Sequence, residues 1–231
     1  MKTKLFSVFT TVIFIAFTFS ASAQKKEERT VEPFSSVGMS VYGDVYISQG
    51  SPQKLVLEGN EDILEKLVTE VRDGMLRIKF SPPYVRTRTP VKIWITVPEI
   101  NGLHLSGSGS INAETAIRSD EMEFKVSGSG KINIDDLTCD EVDAAISGSG
   151  DIRLGGSADE LELAISGSGS CLADQFRAEE VSIRISGSGS CKIDAVKELE
   201  AAISGSGSVY YVGNPTIDAS VSGSGKVRKM D

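Results

Sequence analysis

The sequence predicts an all-β fold: a parallel β-solenoid, or β-helix, of about seven turns behind a divergent β-rich section. Three observations predict it. The tetrapeptide Ser-Gly-Ser-Gly begins at residues 106, 127, 147, 166, 186, 204 and 222, with gaps of 21, 20, 19, 20, 18 and 18. Such regular spacing marks an array of stacked units. Apolar residues alternate with polar or small ones on both sides of each copy, the pattern of a strand with one buried face. Ahead of the repeats, short strand-like runs are punctuated by Gly, Pro and Asp-Gly turn signals.

Residues 1–23 read as a removable export signal. Lys2 and Lys4 precede an apolar stretch from Leu5 to Phe19, and Ala21-Ser22-Ala23 forms a small-residue cleavage box. Cleavage is expected between Ala23 and Gln24. The apolar stretch is short for a membrane span of roughly 20 residues. No other run approaches that length, so the mature chain is expected to be exported to the periplasm, the cell surface or the medium, with no membrane span. Residues 24–30 are expected to be flexible.

Residues 31–100 are expected to form a β-rich cap, continuous with the solenoid. Strand candidates are Ser40–Ser48, Lys54–Glu58, Val68–Arg72, Met75–Phe80 and Val91–Val97. Asp73-Gly74 signals a hairpin, and Asn60 to Lys66 suits one helical turn. Val41-Tyr42-Gly43-Asp44-Val45 reads as a degenerate corner. A solenoid end left bare presents unpaired strand edges, which a divergent end section covers.

Residues 101–231 carry the repeats. At positions −5, −3 and −1 before the second tetrapeptide stand Met122, Phe124 and Val126; before the fifth, Val181, Ile183 and Ile185. The second residue after each copy is Ile111, Ile132, Ile152, Cys171, Cys191, Val209 or Val227. A flexible linker has no reason to keep this register. Each unit therefore reads as strand, corner, strand and variable connection, about two main strands per turn. Crossovers between parallel strands are right-handed as a rule, so a right-handed coil is expected. The corner glycines are Gly107, Gly109, Gly128, Gly130, Gly148, Gly150, Gly167, Gly169, Gly187, Gly189, Gly205, Gly207, Gly223 and Gly225. They turn the chain sharply and let identical corners stack, while Ser hydroxyls are available to the corner amides and carbonyls.

The run Ile93-Trp94-Ile95-Thr96-Val97-Pro98, then Leu103-His104-Leu105 before Ser-Gly-Ser-Gly-Ser110-Ile111-Asn112, and Gly130-Lys131-Ile132-Asn133 resemble a known family. It is the auto-transporter adhesin head domain, called GIN for its Gly-Ile-Asn motif. The resemblance covers nearly all of residues 31–231. It implies a β-helical fold on exported bacterial proteins, common in the Bacteroidetes, and an adhesin-like role. With Gly225 to Asp231 as the last residues, the C-terminal membrane barrel of an auto-transporter is not expected.

Composition bounds the function classes. With 24 Lys+Arg and 32 Asp+Glu the net charge is −8; without Lys2 and Lys4 it is 22 − 32 = −10. Nucleic acid and anionic membranes repel such a chain. His104, the single His, occupies an outward position and lacks the partners a catalytic or metal site needs. No cofactor or metal is expected. Cys171 and Cys191 hold the same position of successive units, about 4.8 Å apart if stacked, which suits either two buried thiols or a disulfide. Cys139 has no such partner.

Two outward columns remain. At −4 stand Glu123, Asp143, Glu162, Ser182, Glu200 and Asp218. This is a solvated charged face, or, with paired acids, a site for glycosidic chemistry. At −2 stand His104, Lys125, Ala145, Ala164, Arg184, Ala202 and Ser220. The small members make a flat face, and Ala145, Ala164, Arg184, Ala202 and Ser220 are the candidate ligand or self-association residues. The leading expectation is a non-enzymatic, adhesin-like binding module for a glycan or protein. A self-associating envelope scaffold (a homo-oligomer) and a carbohydrate-active enzyme are the alternatives. Exposed aromatic rings favour glycan binding, a bare Ala/Ser face favours self-association, and an acid pair in a cleft favours catalysis.

Overall fold

The computed structural model describes residues 24–83, 85 and 90–230. The expected signal segment and its cleavage junction at Ala23 lie outside the described residues or at their edge. The elements are β1 (Lys25–Arg29), β2 (Ser36–Met39), β3 (Gly43–Gln49), β4 (Lys54–Gly59), α1 (Glu61–Leu64), β5 (Leu67–Arg72), β6 (Met75–Phe80), β7 (Val91–Val97), β8 (Gly102–Gly107) and β9 (Ser110–Ala113). There follow β10 (Ile117–Arg118), β11 (Glu121–Gly128), β12 (Lys131–Gly148), β13 (Asp151–Gly167), β14 (Ser170–Gly187), β15 (Ser190–Gly205), β16 (Ser208–Val212), β17 (Thr216–Gly223) and β18 (Lys226–Lys229).

They build a β-solenoid of about six turns. All seven Ser-Gly-Ser-Gly corners stack in register: Ser106 on Ser127, Ser127 on Ser147, Ser147 on Ser166, and so to Ser222. The alternation buries one column per inward position. Leu105, Val126, Ile146, Ile165, Ile185 and Ile203 are each at most 3% exposed. The variable connection proves to be a third face. Leu137 pairs with Gly156, Gly156 with Phe176, and Ala178 with Ala195. Phe176 and Ala195 there are fully buried, so the core is enclosed on three sides.

The corners close differently from the sequence expectation. The first Gly of each has φ between 113° and 122°, a region glycine tolerates. The corner amides are satisfied by the adjacent turn's backbone, as where Ser149 N donates to Gly128 O at 2.8 Å and Asp151 N to Gly130 O at 3.0 Å. Among the described residues no hydrogen bond uses a corner Ser hydroxyl, and all these serines are exposed. Parallel stacking already saturates the corner, which frees the hydroxyls.

The solenoid register runs down into residues 31–100. There β2 pairs in parallel with β8 on one side and β6 on the other, while β3 lies between β9 and β7. The β2–β3 segment is therefore a turn inserted between the β6–β7 turn and the first full repeat. Its degenerate corner, Val41–Val45, stacks under Gly109, where an added Cβ would lie 2.5 Å from Gly43 O. The cap itself is antiparallel. The β5–β6 hairpin turns at Asp73 (φ 53°) and Gly74 (φ 74°), and β4 pairs with β7. Two consecutive positive φ values make the tight turn that matches strand twist.

Residues 24–30, expected to be flexible, hold β1 instead. It pairs antiparallel with β4 from Lys25↔Gly59 to Arg29↔Leu55. Arg29 anchors it, donating to Leu67 O at 2.5 Å and Leu64 O at 2.9 Å and pairing with Glu27. The physical reason is the free outer edge of β4, which a strand covers.

Candidate binding trough

The −2 column and the first Ser of each corner are both outward positions flanking the buried −1 column. Ala and Ser side chains leave this strip lower than its borders. The result is a continuous trough of about 1070 Å³ along the solenoid. Ala145, Ala164, Arg184, Ala202 and Ser220, singled out from sequence, all line it. So do the freed hydroxyl positions Ser106, Ser127, Ser147, Ser166, Ser186, Ser204 and Ser222. At the cap end Gly38, Met39, Met75, Arg77 and Lys79 extend it. That extension was hidden in the sequence, because β2 and β6 join the face only through non-local pairing.

The trough's cations are partly engaged. His104 Nε2 lies 2.5 Å from Glu123 Oε2, and Lys125 Nζ donates to the same carboxylate's other oxygen. Lys125 first, then His104, hold the Glu123 carboxyl below the usual carboxylate range. Lys79 pairs with Glu70 at 2.6 Å, and Arg184 approaches Glu162 at 3.9 Å.

A smaller cleft of about 190 Å³ adjoins the trough, sharing Lys125, Ala145, Ala164 and Arg184 and adding Glu123, Asp143 and Glu162. Beyond it lies a column that the sequence reading passed over. Glu121, Glu141, Glu160, Glu180 and Glu198 occupy the same outward position on successive strands in register. Their signal was an acid at −6 in five consecutive repeats. Burial first, then Asp143, Glu121, Glu160 and Glu162, push the Glu141 carboxyl up from its ordinary value. A glycosidase's general acid needs a raised pKa; Glu123, the acid most enclosed by partners, is shifted the other way. Among the described residues no group of three or more His, Cys, Asp or Glu is placed to hold a metal ion.

The rings are few. Tyr46 stacks on Trp94 at 5.6 Å between centroids, and Lys26 Nζ lies 4.5 Å from the Trp94 centroid. This pair lies on the β3–β7 face, away from the trough. Cys171 and Cys191 are adjacent in register and fully buried as free thiols. Cys139, also a free thiol, donates to Glu141 O at 2.8 Å.

No helix among the described residues is long and apolar enough to cross a membrane, which leaves β-barrels aside. No curated protein shows significant sequence similarity to the chain. Solved structures do resemble it. A "putative adhesin" from Bacteroides fragilis NCTC 9343 matches with TM-score 0.86 and 27% identity, over 91% of this chain and 98% of that one. A "putative lipid binding protein" from Parabacteroides distasonis ATCC 8503 shares the fold with TM-score 0.74 and 24% identity, again over 91% and 98%. A "putative adhesin" from Parabacteroides merdae ATCC 43184 does so with TM-score 0.75 and 21% identity over the same shares. The model of the family described as "Putative auto-transporter adhesin, head GIN domain" matches residues 33–215, and the chain belongs to that family.

Proposed function

We propose that this chain is an exported, non-enzymatic, adhesin-like binding module that contacts its ligand through the trough. The observation that carries the reading is the trough's continuity: a strip of free Ser hydroxyls spans every repeat, beside a column of Ala and Ser broken by His104, Lys125 and Arg184. A long even surface suits a polymer, and the family's adhesin description agrees with it. Of the two ligand classes, protein is favoured over glycan. Sugar sites stack on exposed ring faces; among the described residues no aromatic lines the trough, Trp94 is already engaged by Tyr46 and Lys26, and the exposed Tyr42 (48%) sits on the degenerate corner outside it. The signal-like residues 1–23 support export.

The test is binding of the residue 24–231 protein to immobilised glycans and matrix proteins, with product analysis on the same samples. Saturable binding without product, lost in Ala164→Arg, is the expected result. New reducing ends or unsaturated sugars would overturn it in favour of catalysis. Binding that Ala164→Arg leaves unchanged would move the site off the trough.

Self-association is the second reading. Ile217 (41% exposed) and Val221 (42%) continue buried columns on β17, whose outer edge is unpaired among the described residues. Light scattering decides it: a monomer mass at micromolar concentration counts against it.

A further inference from the structure

The trough and the acidic columns beside it are chemically different strips on one surface. The trough is floored by Ala145, Ala164 and Ala202, with Arg184 between the last two. The adjoining cleft joins that floor to Asp143 and Glu162, and the Glu141–Glu160–Glu180 column lies one outward position further along the same strands. Successive carboxylates of a column are about 4.8 Å apart. That is inside the ~8 Å screening length of physiological salt, so their repulsion persists in solution.

The five cations that line the trough have acidic neighbours elsewhere: Lys79 pairs with Glu70 and Arg77 lies 4.0 Å from Asp73. Lys125 and His104 are committed to Glu123, Arg184 lies nearest Glu162, and Lys197 is held by Glu179. Among the described residues no ion pair engages Asp143, Glu141, Glu160, Glu180, Glu198 or Glu200. Burial first, and then the neighbouring carboxylates Asp143, Glu121, Glu160 and Glu162, raise the Glu141 pKa. An occupant bringing positive charge would relieve it, whereas an anionic polymer or free fatty acid would add to it.

The dimensions restrict the occupant's shape. About 1070 Å³ spread along roughly 29 Å of stacked corners makes a shallow channel. It admits one row of side chains, and an α-helix of about 10–12 Å diameter would ride above it. A polyproline II segment has three faces and repeats every ~9.3 Å, close to the ~9.6 Å of two solenoid turns. One of its faces can drop apolar side chains onto Ala164 and Ala202, which lie two turns apart, while the next points basic side chains at the carboxylates.

Resting on the binding reading above, we infer that the trough and its acidic flank together dock an extended, cationic amphipathic segment of a partner protein. Its signature is an apolar residue and a basic residue repeating with period three.

The test uses fluorescent peptides of five Leu-Pro-Lys, five Leu-Pro-Glu and five Ser-Pro-Lys repeats, titrated with the residue 24–231 protein by anisotropy. The Leu-Pro-Lys peptide is expected to bind at least tenfold tighter than either control and to weaken as salt rises. The triple variant Glu141→Gln, Glu160→Gln, Glu180→Gln should lose at least tenfold while melting no lower than the parent protein. Equal binding of the Leu-Pro-Glu peptide, or no loss in the triple variant, would overturn the inference. If Ala164→Arg abolishes matrix-protein binding while the triple variant retains it, the trough reading stands and this inference alone fails. If neither variant affects that binding, both fail. Glycan binding that Ala164→Arg abolishes would assign the trough to a sugar polymer and also overturn the inference.

Discussion

Alanine at a corner glycine separates two roles that the repeat gives to glycine. Gly107 and Gly167 have nearly the same backbone, φ 115° and 120°. They differ in what lies beneath. A Cβ on Gly107 would meet nothing within 4 Å. A Cβ on Gly167 would lie 2.5 Å from Gly148 O and 3.2 Å from its carbonyl carbon. Both substitutions carry a backbone cost of about 1–3 kcal/mol. Only Gly167→Ala must also push two turns apart, an overpacking cost of roughly 1–3 kcal/mol more. That displacement loads the bonds Ser168 N→Gly148 O and Ser188 N→Gly167 O, both 2.8 Å. For a chain of this size 1 kcal/mol moves the melting temperature by ~2–4 °C. Gly167→Ala is therefore expected to melt about 2–12 °C below Gly107→Ala, read by far-UV circular dichroism at several scan rates. Equal losses would refute the reasoning, leaving φ alone as the reason for glycine.

Three further outcomes are expected. Leu199 and Ile217 share a column but are 0% and 41% exposed; Leu199→Ala should cost about 2–5 kcal/mol and Ile217→Ala under ~1 kcal/mol, by denaturant unfolding. The thiols should be inert to an aromatic disulfide reagent near neutral pH. Burial foremost pushes Cys139 up to about 11, and the hydrogen bond with Cys171, then burial, push Cys191 well up. Three thiols should react in denaturant, and a count of one would reveal a Cys171–Cys191 bond. Glu141 has its folded-state pKa raised, so its ionisation opposes folding once pH rises through the window between its unfolded and folded values. Glu141→Gln should then raise the melting temperature at pH 7 in low salt. The gain should shrink in high salt and vanish below that window; a gain that ignores both salt and pH would refute the charge argument.

The sequence alone determined the repeat, the strands and their corners. The reason is local: period-2 alternation states which side chains face inward, and a regularly spaced Ser-Gly-Ser-Gly states where the chain turns. It also placed Ala145, Ala164, Arg184, Ala202 and Ser220 on one face, since in-register stacking turns sequence period into spatial column. The tertiary structure decided what depends on strand edges far apart in the chain. The β2–β3 turn slots between β6–β7 and β8–β9, and Lys25–Arg29 becomes a strand, because free edges of distant strands were there to be paired. Stacking also supplied the corner hydrogen bonds from backbone and left the Ser hydroxyls exposed. The trough is decided at the same level. Whether a strip of small residues is a flat face or a channel depends on the height of its neighbours, and Met39, Met75, Arg77 and Lys79 reach it only through the pairing of β2 with β6 and β8.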